Sequence, residues 1–245
     1  MIEETRKLFE VWSPGMDTSD LQAISLEQGL FPQVTSRRLK NIIHEGFGAR
    51  YLVSDDYPAK YLKVLAIELN SKVFNQLLLI YTCRSNIILS DFIKDVFWQS
   101  FEAGKNIITQ EQSERFVLNS MDQGKTNVRW ADSTIRRVSS YLTGACVDFG
   151  LMKKDTRNEF ILLPYRIEEK SAVYLSYDLH FSGKGDNAVL GHQDWELFGL
   201  KREDVLDEFK RLALKDWFIV QSAGLASRIG WKYDTMMEVV HALAE

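Results

Sequence analysis

The sequence predicts a mainly α protein: a helical bundle with helix-turn-helix and winged-helix-like features and two short β-hairpins. Three observations support this fold class. Apolar residues recur at spacings of three and four along most of the 245 residues. The four prolines, at positions 14, 32, 58 and 164, fall at boundaries between such stretches. Strand-like patterns are confined to two short regions, and each of these follows a helix.

An N-terminal helical lobe with a helix-turn-helix-like segment is predicted over residues 1–104. Thr18 or Ser19 caps the second helix, and Gly29 ends it. Thr35 or Ser36 caps the third. The helices of this lobe are predicted over residues 3–12, 18–28, 36–52, 59–69, 72–83 and 90–102.

A C-terminal lobe with winged-helix-like units is predicted over residues 105–245. Its most regular helix lies within residues 130–152 and carries an apolar stripe from Ile135 to Phe149. Asp132 or Ser133 caps this helix, and Gly150 provides its left-handed end. The remaining elements are a helix over 109–121, part or all of a hairpin within 155–167, a helical region over 171–199, a helix over 202–215, two strands joined at Ser-Ala-Gly and a last helix over 234–244.

The bulk composition is that of an ordinary globular protein. Hydrophobic residues make up 45% of the chain and charged residues 26%, which excludes a disordered polyelectrolyte. Cys83 and Cys146 stand far apart in helical patterns, which is typical of reduced, buried thiols. The longest apolar region, residues 73–89, contains polar side chains and is shorter than the about 20 apolar residues of a bilayer span. We therefore predict a cytoplasmic protein without a membrane segment.

No motif in the sequence supports catalysis. The four histidines lack metal-ligand spacing, and neither a CxxC pair, a phosphate-binding GxxxxGK[ST] loop nor a nucleophile elbow is present. Asp178 and His180 stand two residues apart in a helical segment, so their side chains point in different directions and a chance pair is favoured over a dyad. The sequence predicts a non-enzymatic protein with no metal, cofactor or small-molecule substrate.

Positive charge is concentrated in residues 125–170, which carry nine basic and six acidic residues in a chain of net charge −4. Arg136 and Arg137 lie outside the apolar stripe near the start of their helix, where cations oppose the helix macrodipole. Helix-turn-helix proteins place the N-terminal residues of their second helix against DNA. Arg37, Arg38 and Lys40 repeat the arrangement after the cap of the third helix.

These charges predict a nucleic-acid-binding surface that contacts mainly phosphate. Its residues are Arg37, Arg38, Lys40, Lys125, Arg129, Arg136, Arg137, Lys153, Lys154 and Arg157. The ligand is double-stranded DNA, with RNA left open. Few asparagine or glutamine side chains accompany the arginines, so little base preference is expected. The alternative for the paired arginines is a solvated helix face neutralised by nearby acids.

Three stretches resemble the BrxA family: EETRKLFEVW (residues 3–12), EQGLFPQVTSRRLKNIIHEGFGARYL (27–52) and WADSTIRRVSSYLTGACVDFGLM (130–152). The resemblance extends over most of residues 1–165 and weakens across 171–245. It implies a non-enzymatic helical accessory protein of bacteriophage-exclusion (BREX) defence that binds DNA. The basic positions carried over are Arg37, Arg38, Arg136 and Arg137.

A protein–protein adaptor of the same defence complex, without direct nucleic-acid binding, is the alternative function. Residues 171–245 carry eight basic and twelve acidic residues, and Glu203 and Asp204 begin the helix that precedes the last hairpin. Those acids repel phosphate, so this helix is assigned to protein contacts or to simple packing. In the adaptor function, the acidic C-terminal region docks a larger defence enzyme. The two functions can coexist in one molecule.

Overall fold

Helices account for most of the structure, which confirms the mainly α prediction. The computed structural model describes residues 2–126, 128–155, 159–223 and 226–245. The α-helices are α1 (Ile2–Val11), α2 (Thr18–Glu27), α3 (Ser36–Lys40), α4 (Ala49–Tyr51), α5 (Tyr57–Glu68), α6 (Ser71–Ser85), α7 (Ile87–Phe92), α8 (Gln99–Glu102), α9 (Gln110–Asp122), α10 (Asp132–Asp148), α11 (Glu169–Phe181), α12 (Asp186–Leu190), α13 (Arg202–Ala213) and α14 (Met236–Ala244).

Two π-helical stretches join neighbouring helices into longer ones. Asn41–Gly48 connects α3 to α4, and Ile93–Trp98 connects α7 to α8. A 3-10 helix spans Gln193–Phe198. The strands are β1 (Ile107–Thr109), β2 (Met152–Lys154), β3 (Glu159–Leu162), β4 (Phe218–Ala223) and β5 (Ala226–Trp231).

Spatial proximity divides the chain into two compact units whose sequence segments alternate. The first unit comprises Met1–Ser85, Ile167–Trp195 and Leu200–Glu245. The second unit comprises Asn86–Arg166 and Glu196–Gly199. The lobe boundary placed between residues 104 and 105 from the sequence is a different partition of the chain, and it stays a prediction.

The core of the first unit is built around α6 and α11. Every residue of α11 from Ser171 to Leu179 is buried, and α6 is buried from Gln76 to Cys83. The Ser171 hydroxyl donates to the Val73 carbonyl at 3.3 Å, which joins the two helices. The apolar region over residues 73–89 is therefore not one continuous helix: its first part lies in the core helix α6, which ends at Ser85, and Asn86 caps α7. Within the described residues, no helix has both the length and the apolar character needed to cross a membrane.

The second unit contains a three-stranded antiparallel sheet and the α9–α10 helix pair. Its chain order is β1, α9, α10, β2, β3, and its sheet order is β1-β3-β2. The Thr109 side chain accepts from the Gln112 N–H, and the Gln112 side chain accepts from the Thr109 N–H, a reciprocal cap that starts α9. The sequence located the β2–β3 hairpin only in part and missed β1, since three residues are too few for a recognisable period.

The helix ends agree with the sequence in part. Gly150 has φ +81° just after α10, which is the left-handed end that was predicted. Thr35 caps α3, as expected. The N-caps proposed for two other helices are wrong. Asp17, and neither Thr18 nor Ser19, caps α2. Ala131 occupies the N-cap of α10 and provides no side-chain hydrogen bond, so neither Asp132 nor Ser133 is its cap.

Gly48, in the third predicted helix, lies close against Thr18 of α2. A Cβ atom at this position would lie 2.4 Å from Thr18 Cγ2. No side chain fits at that distance, so the contact between the helices depends on the absence of a side chain. Glycine at position 48 therefore permits this close approach to Thr18.

We expect Gly48→Ala to lower the free energy of unfolding by about 1–3 kcal/mol, because the added methyl overpacks this contact. Adding Thr18→Ser, which removes the methyl that would clash, should restore most of the loss. Urea denaturation followed by circular dichroism measures both variants. A double variant as unstable as Gly48→Ala alone would show that this clash is not the cause.

Candidate nucleic-acid interface

Arg136 and Arg137 lie on the exposed face of α10. The stripe that includes Ile135, Leu142 and Cys146 is buried on the opposite side of the helix. Neither arginine forms an ion pair with any residue in the described part of the chain, although Asp132 stands one helical turn before Arg136. The exposure of both cations agrees with their prediction as contact residues.

The N-terminus of α10 leaves backbone donors free. Since Ala131 has no side-chain oxygen, it caps none of the first-turn N–H groups. The Asp132 and Ser133 N–H groups make no hydrogen bond within the described ranges. Uncapped N–H groups and the positive end of the helix macrodipole favour an anion at this point. Two arginines and free backbone donors therefore meet at the start of one helix.

The β2–β3 hairpin presents its two lysines on opposite faces. Lys153 pairs with Ile161, and Lys154 pairs with Phe160. Successive strand residues point to opposite faces, so only one of the lysines can face α10. Lys154 lines a recess together with Ser140 and Gly144 of α10, which identifies it as that lysine. Arg157 lies outside the described residues.

Two of the predicted contact residues are already engaged with acids. Lys125 Nζ lies 2.8 Å from Asp91 Oδ2, and this hydrogen bond raises the pKa of the lysine. Arg129 Nη1 lies 3.5 Å from Asp122 Oδ1, and both side chains are well exposed. For these two cations the structure favours the alternative of a neutralised surface over that of a free one.

The remaining predicted residues belong to the first unit. Arg37, Arg38 and Lys40 are all exposed on α3, whose first turn is capped by Thr35. None of these cations forms an ion pair with a described residue. They make a second basic cluster at a helix start, and each compact unit thus has one.

The acids of α13 are largely balanced within their own helix. Asp204 accepts a hydrogen bond from the Lys201 N–H at 2.9 Å, which places it in the cap of the helix. Asp207 pairs with Lys210 at 2.8 Å, and Glu208 pairs with Arg211 at 2.5 Å. The acidic start of this helix is therefore less of a free negative surface than its sequence suggests.

The first unit contains a buried ionic network that the sequence analysis did not predict. Arg84 Nη2 lies 2.7 Å from Asp178 Oδ2, and Arg84 Nε lies 2.8 Å from Asp194 Oδ2. Tyr81 donates to Asp178 Oδ1 at 3.0 Å. The His180 ring stacks on the Trp231 ring, with 4.2 Å between the ring centroids. Asp178 and His180 therefore contact different partners, as their spacing of two residues predicted. The sequence around Asp178 could not indicate Arg84 as its partner, because Arg84 lies on another helix.

Comparison with known families identifies a match over much of the chain. A family model described as BrxA matches residues 1–177 of the 245. No curated protein matches the chain. The matched segment includes the α3 cluster, all of α10 and the β2–β3 hairpin.

Proposed function

Since the chain belongs to the BrxA family, and is therefore a component of BREX phage defence, we propose that it acts there as a non-enzymatic DNA-binding accessory protein. Contacts to the phosphate backbone supply most of the affinity. The proposal concerns double-stranded DNA, and an RNA duplex of the same sequence is the natural competitor in its tests.

The segment from β1 to β3 acts, in this proposal, as a winged helix-turn-helix unit. Its order of two helices followed by a hairpin, with a sheet of order β1-β3-β2, supports this assignment. Helix α10 is the recognition helix and enters the major groove with its N-terminal half. The β2–β3 hairpin is the wing and adds Lys154 to the same surface.

The observation that carries the proposal is the pair of exposed arginines at the uncapped start of α10. An exposed arginine on a helix can pair with an acid one turn away, as Arg115 does with Glu111 on α9. Arg136 and Arg137 have no such partner among the described residues. Guanidinium groups and free backbone N–H groups are also the donors that most often bind DNA phosphate.

Salt dependence tests whether phosphate contacts dominate. The predicted basic surface holds ten lysines and arginines, and about four to six of them contacting phosphate would make log affinity fall against log salt with a slope of about −4 to −5. Fluorescence anisotropy of a labelled duplex between 50 and 200 mM salt, a range over which such slopes are measured, gives this number. Affinity that does not change with salt would contradict the electrostatic mode of binding.

The adaptor function rests on a different observation in the first unit. Leu214, just after α13, is 89% exposed, and Ile219 on β4 is 64% exposed. In the adaptor function these side chains would contribute to a protein contact, since apolar groups make none of the polar contacts that phosphate requires. The same titration distinguishes the two functions. If the protein binds no duplex even at low salt, the adaptor function is the one that remains.

A further inference from the structure

A recess of about 380 Å³ opens beside the arginines of α10. Its walls come from the start of α9, the middle of α10 and the β2–β3 hairpin, and they include Gln110, Ser140 and Gly144. Ser140 follows Arg136 by four residues and Arg137 by three, so the recess continues the face that carries both arginines. A duplex held by the arginines would present its base edges to this part of α10.

The amide of Gln110 has a fixed orientation. The buried Ser139 hydroxyl donates to the Ile135 carbonyl at 2.9 Å, so its oxygen can only accept a further hydrogen bond. Gln110 Nε2 lies 3.0 Å from that oxygen and 3.4 Å from Ser140 Oγ. The amide nitrogen therefore faces the two serines, and Gln110 Oε1 is left without a hydrogen-bond partner among the described residues.

This arrangement leaves one free acceptor and one free donor side by side. Gln110 Oε1 is the acceptor. Ser140 Oγ accepts from Gln110, and its own proton has no acceptor in the described part of the chain, so it is the donor. In the major groove, adenine presents the complementary pair, the N7 acceptor and the N6 amino donor. Guanine presents two acceptors there, and cytosine presents a donor alone.

We infer that Gln110 and Ser140 read the major-groove edge of an adenine next to the phosphates held by Arg136 and Arg137. This inference rests on the proposed function, because it needs α10 to lie in the groove. The Ser140 hydroxyl donates to adenine N7, and Gln110 Oε1 accepts from the N6 amino group. Gly144, one turn beyond Ser140, has no side chain and leaves room for the base edge. The protein then has a base preference that its arginines alone do not provide.

Selection from a library of random-sequence duplexes tests this inference with the full chain. We expect the retained sites to favour adenine at one position by at least about fivefold, the lower end of what a two-point contact to a base supplies. Gln110→Ala and Ser140→Ala should each abolish that preference while affinity for unselected duplex stays within about twofold. Gln99→Ala is the matched control, since Gln99 lines a different recess of the same unit, and its sites should keep the adenine.

Folding does not obscure this comparison. The cap of α9 is made by Thr109 and Gln112, so Gln110→Ala leaves it intact, and circular dichroism verifies this. Retained DNA with no enriched adenine, or an adenine that persists in Gln110→Ala, would overturn the inference and leave DNA binding standing. A chain that retains no duplex at all would overturn both.

Discussion

Charge reversal of Arg136 and Arg137 to glutamate is expected to weaken binding to duplex DNA by roughly 100-fold or more at low salt. A hydrogen bond to a charged group contributes about 1.5–3 kcal/mol, and the loss of two such bonds multiplies to that factor. Both side chains are exposed and lie off the buried stripe, so stability should change by no more than about 0.5 kcal/mol. Anisotropy measures the affinity, and circular dichroism verifies the fold.

The matched control is Lys210→Glu with Arg228→Glu. Both cations are exposed in the first unit, on α13 and β5, and the double variant has the same net charge as the α10 variant. At the same low salt its affinity should fall far less than that of the α10 variant, because it adds only long-range repulsion and removes no predicted phosphate contact. Equal weakening in both variants would mean that net charge, and not α10, controls binding. Unchanged binding in the α10 variant would make its arginines an ordinary solvated face.

The helices followed from the sequence because their signals are local. Apolar spacing along α10 identified which side is buried, and therefore that Arg136 and Arg137 are exposed. Gly150 identified the helix end, because a left-handed residue is required there and glycine adopts that conformation without strain. The caps were less certain, because several Ser, Thr and Asp side chains stand near each helix start. At α10 the chain uses Ala131, which no side-chain preference predicts.

The composition of the site depended on contacts that are not local. Charge counts grouped Lys125 with the arginines, but Asp91 neutralises it from 34 residues away. The two adjacent lysines of β2 are equivalent in the charge count, but Lys153 and Lys154 point to opposite faces of the strand. Gln110 gave no sequence signal, because the serines that orient its amide are 29 and 30 residues away on another helix. The expectation of little base preference from the sequence stays a prediction, and the selection experiment on Gln110 and Ser140 tests it.

Removal of the Arg84 guanidinium is expected to have the largest effect on stability. Asp178 and Asp194, whose side chains are 5% and 7% exposed, both depend on Arg84, whose own side chain is 29% exposed. Arg84→Met should lower the free energy of unfolding by about 3–5 kcal/mol, because it leaves two buried carboxylates without their counter-charge. Urea denaturation at neutral pH measures the loss.

The pH dependence of this loss identifies its cause. Burial raises the pKa of the Asp194 carboxyl, but hydrogen bonds and charge from His192 and Arg84 more than offset it, and the pKa lies below its ordinary value of 3.8. A lowered carboxyl pKa stabilises the folded state above the unfolded-state pKa, and that contribution is lost as pH falls through the folded-state pKa. The difference between parent and Arg84→Met should therefore be full at neutral pH and shrink as the pH falls and the carboxylates left without Arg84 become protonated.

Two further variants separate a buried charge from a lost side chain. Lys72→Met removes a cation that is 67% exposed and pairs with Glu168, and it should cost no more than about 1 kcal/mol, as surface ion pairs do. A triple variant that adds Asp178→Asn and Asp194→Asn to Arg84→Met removes both unpaired carboxylates. It should recover much of the stability, since neutral amides are less costly to bury than unpaired carboxylates. If Arg84→Met costs no more than Lys72→Met, the carboxylates are solvated in the folded protein and the network does not stabilise the first unit. If the triple variant recovers nothing, the packing of the guanidinium over Tyr81, whose ring centroid lies 5.0 Å from the guanidinium carbon, accounts for the loss instead.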